Sequence, residues 1–507
     1  MRMLEILTLV TLLITFIGFF LPRSKRPRWM AFLPSLAVLL VLAHLVLEGY
    51  RWQMVPAYAL TALTFLATVP GIVWLTRPRG QADPQGKPSS RWRRALTITG
   101  TILGLLVLIV ATALPALLPV FRLPQPTGPY AVGTRYAYWI DKGRPDTYTS
   151  DQNDYREVSV QIWYPAELTG NEVPIRYMRK EASRAFAEFE NAPSPLIDHF
   201  SLVRTHAYLN AGVAQTGTPF PVITYSPSGL MSGHMALFEE LASHGYVIVC
   251  IGHPYWNPFV YGADGEVLPF DGQNETYKAW WTEESPTVKE AKAQITVATT
   301  TEAQERAHRR HNELKPIAIS DLTMWAGDIG FVLDELARLN SGSGFPAGTL
   351  DLERVGIMGF SNGGAAAGQF CVTDARCKAG VNFTGFMYGD IVDMNLVQPF
   401  LFLNEEELWC PDCYVNDLFY KRAQSSAYQI KIRGARHVSF GDWCLFGGLL
   451  YSLSEEAPID GRRMARIQNT YTLAFFDKHL RGLAAPLLDG PAADYPEVVF
   501  ASRHPLP

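Results

Sequence analysis

The sequence predicts an α/β fold, a mostly parallel sheet flanked by helices, preceded by four transmembrane α-helices. Three observations carry this. Up to Phe121 the chain is mostly apolar, in four stretches of spanning length. Beyond it, short apolar runs alternate with helix-type segments, as in strands joined by crossover helices. Last, a strand-type run from Arg354 reaches Gly359-Phe360-Ser361-Asn362-Gly363 and passes directly into a small-residue, helix-type run.

The apolar stretches are Ile6 to Leu21, Met30 to Leu47, Ala57 to Leu75 and Ala95 to Phe121. Each is near or above the roughly 17 to 25 residues a helix needs to cross a bilayer, and a cleaved signal peptide would explain only the first. The first loop carries Arg23, Lys25, Arg26 and Arg28, and the third carries Arg77, Arg79, Lys87, Arg91, Arg93 and Arg94. The second has only Arg51 beside Glu48. Basic loops stay on the cytoplasmic side, so the chain after the fourth span is expected on the outer face, tethered to the membrane. The same charges would also bind lipid headgroups. The organisation expected is therefore an anchor, residues 1–121, and a globular domain, residues 122–507.

Cysteine usage suits an outer compartment, where disulfides persist. Cys371 and Cys377 lie close together and are the first pair expected; Cys410 or Cys413 with Cys444 is the second, and Cys250, in an apolar run, reads as a buried free thiol. Trp409-Cys410-Pro411-Asp412-Cys413 has the spacing of a redox motif but no thioredoxin-like context, so a structural role fits better, with zinc held by Cys410, Cys413, Cys444 and a histidine as the alternative. A net charge of −4 gives no sign of nucleic-acid binding.

In the globular part, Leu123 to Pro129 reads as a linker. Thr134 to Ile140, Val158 to Tyr164, Pro221 to Tyr225 and Tyr246 to Ile251 read as strands, and Met235 to Ser243 as a helix. Residues 264–320 lose periodicity and gain charge, so an insertion over the sheet, a candidate lid, is expected there, with Thr287 to Leu314 as one long polar helix. His308 to His311 would be its solvated face. Asp328 to Leu339 is an amphipathic helix, Gly380 to Phe383, Phe400 to Leu403 and Tyr428 to Ile432 are further strands, and Arg463 to His479 closes the domain.

Strand, Gly-x-Ser-x-Gly and helix together form the sequence signature of a nucleophile elbow, which places Ser361 at the top of an α/β-hydrolase sheet. Glycines flank the serine because the turn is strained and its neighbours approach closely. A serine hydroxyl needs a base, and in this architecture the histidine comes late; His437 follows the last expected strand. The oxyanion needs backbone N–H donors, expected from Asn362 and from the turn at Leu230.

These residues carry a resemblance. Gly128-Pro129-Tyr130-Ala131-Val132-Gly133, Val160 to Pro165, Tyr225 to Leu230, Leu241 to Tyr246, the elbow and Ile432 to His437 occur in an order similar to the secreted platelet-activating factor acetylhydrolase family. The resemblance implies a calcium-independent serine esterase, with no cofactor, that removes short acyl groups from phospholipid-like or other small esters. Dienelactone and polyester hydrolases are near in pattern. The family mounts its catalytic aspartate just after the strand following the elbow helix, where this chain has Thr384. Glu405, Glu406 or Glu407 could replace it, Glu406 being preferred here, and Asp390 is a further candidate. Without any such carboxylate the domain would be a hydrolase-shaped binder of a ligand or partner.

Overall fold

The computed structural model describes residues 1–21, 25–75, 91–149, 151, 153–272, 274–405, 416–446 and 459–504. The chain divides into two compact units, with the boundary between Phe121 and Arg122.

In the first unit, the four apolar stretches form α1 (Met3–Phe20), α2 (Leu33–Leu47), α3 (Val55–Leu75) and α4 (Arg91–Leu117). Leu9, Leu12, Phe16, Ala37, Ala57 and Leu108 face inward, whereas Leu13, Leu39, Leu63 and Ile109 are exposed. Exposed leucines on these long helices leave an apolar outer surface. By length and composition, Met3–Phe20, Arg28–Leu47 and Ile98–Leu117 are apolar enough to cross a membrane. Glu5 and Arg51, both fully buried, pair at 3.1 Å.

The second unit is built on one twisted sheet. Its main strands are β1 (Ala131–Pro145), β2 (Tyr155–Glu167), β3 (Phe220–Ser226), β4 (Val247–Gly252), β5 (Leu350–Phe360), β6 (Cys377–Phe383), β7 (Phe400–Asn404), β8 (Ala427–Ile432) and β9 (Val498–Arg503). In space they run β1-β2-β4-β3-β5-β6-β7-β8-β9. All pairings from β4 to β8 are parallel, while β1, β2 and β9 join antiparallel. The parallel strands therefore end along one edge. Chain order reverses at β3, between β4 and β5, which is where open parallel sheets form a crevice for ligands.

Helices α5 (Met235–Ser243), α6 (Pro316–Asn340), α7 (Asn362–Thr373) and α8 (Gly461–Arg481) flank the sheet. Parallel strands covered on both faces read as continuous apolar runs, and β3, β4 and β7 are buried at every position. Ile329, Val332 and Leu336 of α6 pack into the same core as Val222, Ile251 and Ile357. Although α6 is also apolar enough to span a membrane, half of it is used in this way.

Several expectations need correction. The long polar helix is two helices, Pro286–Val297 and Thr301–Glu313. Ala298 turns extended, and the Thr300 hydroxyl caps the second helix by accepting from Ala303 N at 3.2 Å. His308 and His311 are buried against Phe386 rather than solvated; Arg309 and Arg310 form the exposed face. The last part of the expected insertion, from Pro316, is already α6. The Cys371–Cys377 disulfide is formed. Cys444 is a free buried thiol whose Sγ lies 3.2 Å from both the Gly441 and Gly461 carbonyl oxygens, so it is paired with neither Cys410 nor Cys413. Those two cysteines lie outside the described residues. Cys250 is free and buried as expected.

Candidate active site

Ser361 stands at the junction of β5 and α7 with φ 55° and ψ −123°, a conformation that costs a non-glycine residue about 1–3 kcal/mol. The surroundings hold it there. Ser361 N donates to Phe383 O at 3.0 Å, and its carbonyl accepts from Gly364 N at 2.9 Å. A Cβ on Gly359 would lie 2.0 Å from Gly363 O, and one on Gly363 would lie 1.9 Å from Ser226 O. The two glycines thus let β5, α7 and the end of β3 meet behind the serine.

His437 opens a short turn after β8. Its ring packs 4.8 Å from that of Phe360, the residue immediately before Ser361. Its Nδ1 lies 3.0 Å from Thr384 Oγ1. The imidazole, well separated from the serine in sequence, is therefore brought to the end of β5, against the residue that precedes Ser361.

Thr384 follows β6 in the left-handed region, with φ 47°, and its N–H donates to Leu403 O at 2.7 Å. Its hydroxyl donates to Glu405 Oε2, and Glu405 is buried just beyond β7. With that proton committed to the carboxylate, Thr384 Oγ1 is left to accept from His437 Nδ1–H, which orients the ring. The preferred Glu406, like Glu407, lies outside the described residues; the carboxylate connected to the histidine through Thr384 is Glu405. Asp390 instead accepts from Gln369 Nε2 at 2.8 Å.

The two expected oxyanion donors sit on either side of the switch point. Asn362 is the first residue of α7, so its N–H has no acceptor within the helix. At the other side Gly229, with φ 108°, carries the turn after β3. Its carbonyl accepts from Asn257 Nδ2 at 2.6 Å. In a trans peptide the following N–H, that of Leu230, points the opposite way.

A buried polar chain that sequence reasoning did not find supports this turn. His253 N donates to Asn257 Oδ1 at 2.6 Å, His253 Nδ1 lies 2.8 Å from Asp328 Oδ2, and Nε2 lies 3.3 Å from Ser226 Oγ. Burial alone would push the Asp328 carboxyl up, but Arg156, bonded at 2.8 Å, and His253 hold it well below the usual carboxylate range. Burial pushes the His253 imidazole down, against the pull of Asp328. Ser226, His253 and Asp328 mimic a triad but are all fully buried, so they brace the turn and meet no substrate. In sequence, Asp328 had only one signal: a charge on the inward face of a mostly apolar helix.

The chain matches the family described as platelet-activating factor acetylhydrolase, isoform II, over residues 118–485. It is 24% identical over 383 residues to the platelet-activating factor acetylhydrolase of Canis lupus familiaris, covering 71% of this chain and 77% of that protein. A probable 1-alkyl-2-acetylglycerophosphocholine esterase of Arthroderma benhamiae is 24% identical over 456 residues, covering 80% of this chain and all (100%) of its own length. A solved structure, a ferulic acid esterase from Streptomyces cinnamoneus, superposes with a TM-score of 0.59 at 24% identity, covering 75% of this chain and 99% of that one, a likeness of fold.

Proposed function

Since the chain belongs to the platelet-activating factor acetylhydrolase, isoform II, family and is an ester hydrolase, we propose that it is a membrane-anchored serine esterase acting on phospholipid-like, short-acyl esters. The supporting observation is the convergence at the sheet edge: Ser361 in a strained elbow, with the His437 ring packed on the residue before it.

In this reading the Ser361 hydroxyl attacks the ester carbonyl as His437 Nε2 takes its proton. The negative charge that develops on the carbonyl oxygen is met by the N–H groups of Asn362 and Leu230, already oriented by α7 and by Asn257. Collapse expels the alcohol, which takes the proton back from the imidazolium. Water then attacks the acyl-serine with the same histidine as base. Thr384 and Glu405 fix the ring, and the carboxylate stabilises the imidazolium across one hydroxyl.

Anchoring by α1 to α4, with the hydrolase domain on the outer face, is supported by the apolar helices and the basic first and third loops. It would present the site to lipid esters at a bilayer surface. Hydrolysis of a short-chain p-nitrophenyl ester and of an sn-2-acetyl phospholipid by the purified full chain tests the proposal. Ser361→Ala should abolish both activities, and an active Ala variant would refute the serine mechanism.

A further inference from the structure

Beside Asn362 lies a narrow cavity of about 10 Å³, room for about one water-sized group, walled by Trp256, Trp280, Trp325, Leu322 and Tyr388. Asp321 is the one carboxylate among its described lining residues. Among the described residues, two polar atoms carried by lining residues are buried without partners, the acceptor Asp321 Oδ2 and the donor Trp325 Nε1–H. Asp321 and Trp325 are 4% and 3% exposed. They stand four residues apart on α6, so they share one face of it. Buried polar groups are nearly always satisfied, and an unpaired donor and an unpaired acceptor on neighbouring turns of α6, both on residues that line one cavity, point to something that fills both.

The carboxyl is also fixed. Tyr148 donates its hydroxyl proton to Asp321 Oδ1 at 2.5 Å, and that hydroxyl in turn accepts from Trp256 Nε1. Tyr148 stacks on Tyr255, with ring centroids 5.2 Å apart. Oδ2 cannot turn away to find another partner without breaking this chain.

A hydroxyl matches the open pair, since it donates one hydrogen bond and accepts others. An alkyl group would leave both atoms unsatisfied. An ammonium would suit the carboxylate and the aromatic walls but leave the indole N–H unpaired. A carboxylate would suit the indole and be repelled by Asp321. Resting on the reading of Ser361 as nucleophile, we propose that this cavity is a subsite for a hydroxyl group carried by the substrate near its scissile ester. Asp321 Oδ2 accepts from that hydroxyl and Trp325 Nε1–H donates to it. In the free protein a water can make the same two bonds, and the substrate hydroxyl displaces it.

The electrostatics agree. Burial pushes the Asp321 carboxyl up to about 7; the Tyr148 bond, Arg156 and Lys315 lower it, and Glu283 raises it. Tyr388, also facing the cavity, is held protonated by burial. The ionised carboxylate is the stronger acceptor, so selectivity for a hydroxyl should increase as pH rises through about 7.

The test uses the purified full chain and matched ester pairs that differ by one hydroxyl. One pair carries it on the acyl side, p-nitrophenyl butyrate against p-nitrophenyl 3-hydroxybutyrate; a second carries it on the alcohol side, ethyl against 2-hydroxyethyl butyrate. At pH 8, kcat/KM should favour the hydroxylated member of at least one pair by about tenfold or more. That ratio should fall toward one in Asp321→Asn and, separately, in Trp325→Phe, each confirmed folded by a cooperative melt. Ratios near one for both pairs in the unmodified protein, or a preference untouched by both variants, would overturn the subsite and leave the cavity holding water only. Turnover of the parent esters by Ser361→Ala would instead sink the catalytic reading, whatever the ratios.

Discussion

Thr384 Oγ1 lies 3.0 Å from His437 Nδ1 and stands between that imidazole and Glu405. A hydroxyl thus occupies the position where a carboxylate would touch the histidine directly, and the negative charge acts from one residue further away.

Removing either member of this chain should lower turnover without weakening substrate binding. Thr384→Val and Glu405→Gln should each reduce kcat about a hundredfold with KM little changed, whereas Glu406→Gln should behave like the parent. Thr384→Asp should retain much more activity than Thr384→Val, because it returns a carboxylate to Nδ1. Steady-state kinetics on one short ester check all four variants.

Asn257 should matter through the peptide it holds. Asn257→Leu frees the Gly229 carbonyl, so the Leu230 N–H loses its fixed direction. The expected result is a fall in kcat of about 10- to 100-fold, less than complete loss of an oxyanion donor, with KM unchanged. Tight inhibition by a trifluoromethyl ketone should weaken in step with kcat, a readout that loss of stability alone would not produce.

Asp328 carries the largest structural burden. It is fully buried and bonded to Arg156, Arg144 and His253, so Asp328→Asn leaves buried positive charge uncompensated and should cost about 3–5 kcal/mol. Its folded carboxyl titrates below its ordinary value of 3.8. Its contribution is therefore present above that pH and lost on acidification, when the unfolded chain binds the proton first. Denaturant melts of the parent and the variant should converge as pH falls below about 4.

Asp321 should act with the opposite sign. Between 3.8 and about 7 the folded protein keeps a proton that the unfolded chain has released, so stability falls as pH rises, by up to about 1.4 kcal/mol per pH unit. Subtracting the stability profile of Asp321→Asn from that of the parent should expose this slope. A flat difference curve would show that the carboxyl is not raised.

Much of this was readable in the sequence because the signals were local. Strand, glycine-flanked serine and helix are contiguous at Arg354 to Thr373, and continuous apolar runs marked β3, β4 and β7. The placement of His437 relied on chain order, and the fold brings it to Phe360. What stayed hidden depends on contacts between distant segments. Glu405 is one of three adjacent glutamates that could supply the acid, but nothing in the sequence indicates that it is Glu405, 21 residues on, that accepts from the Thr384 hydroxyl. His308 and His311 looked solvated because their helix is strongly charged, yet Phe386 covers that face. The edge strand β9 was missed because it is short and ends in polar residues, its pairing being supplied by β8.

The central claim is that Ser361 is the nucleophile, activated by His437. Treating the full chain with a fluorophosphonate and mapping the adduct by peptide mass spectrometry tests it most directly. A single adduct on Ser361, formed at neutral pH and suppressed in His437→Ala, is the predicted result. A folded chain that hydrolyses esters yet carries no adduct on Ser361, or labels equally well without His437, would contradict it.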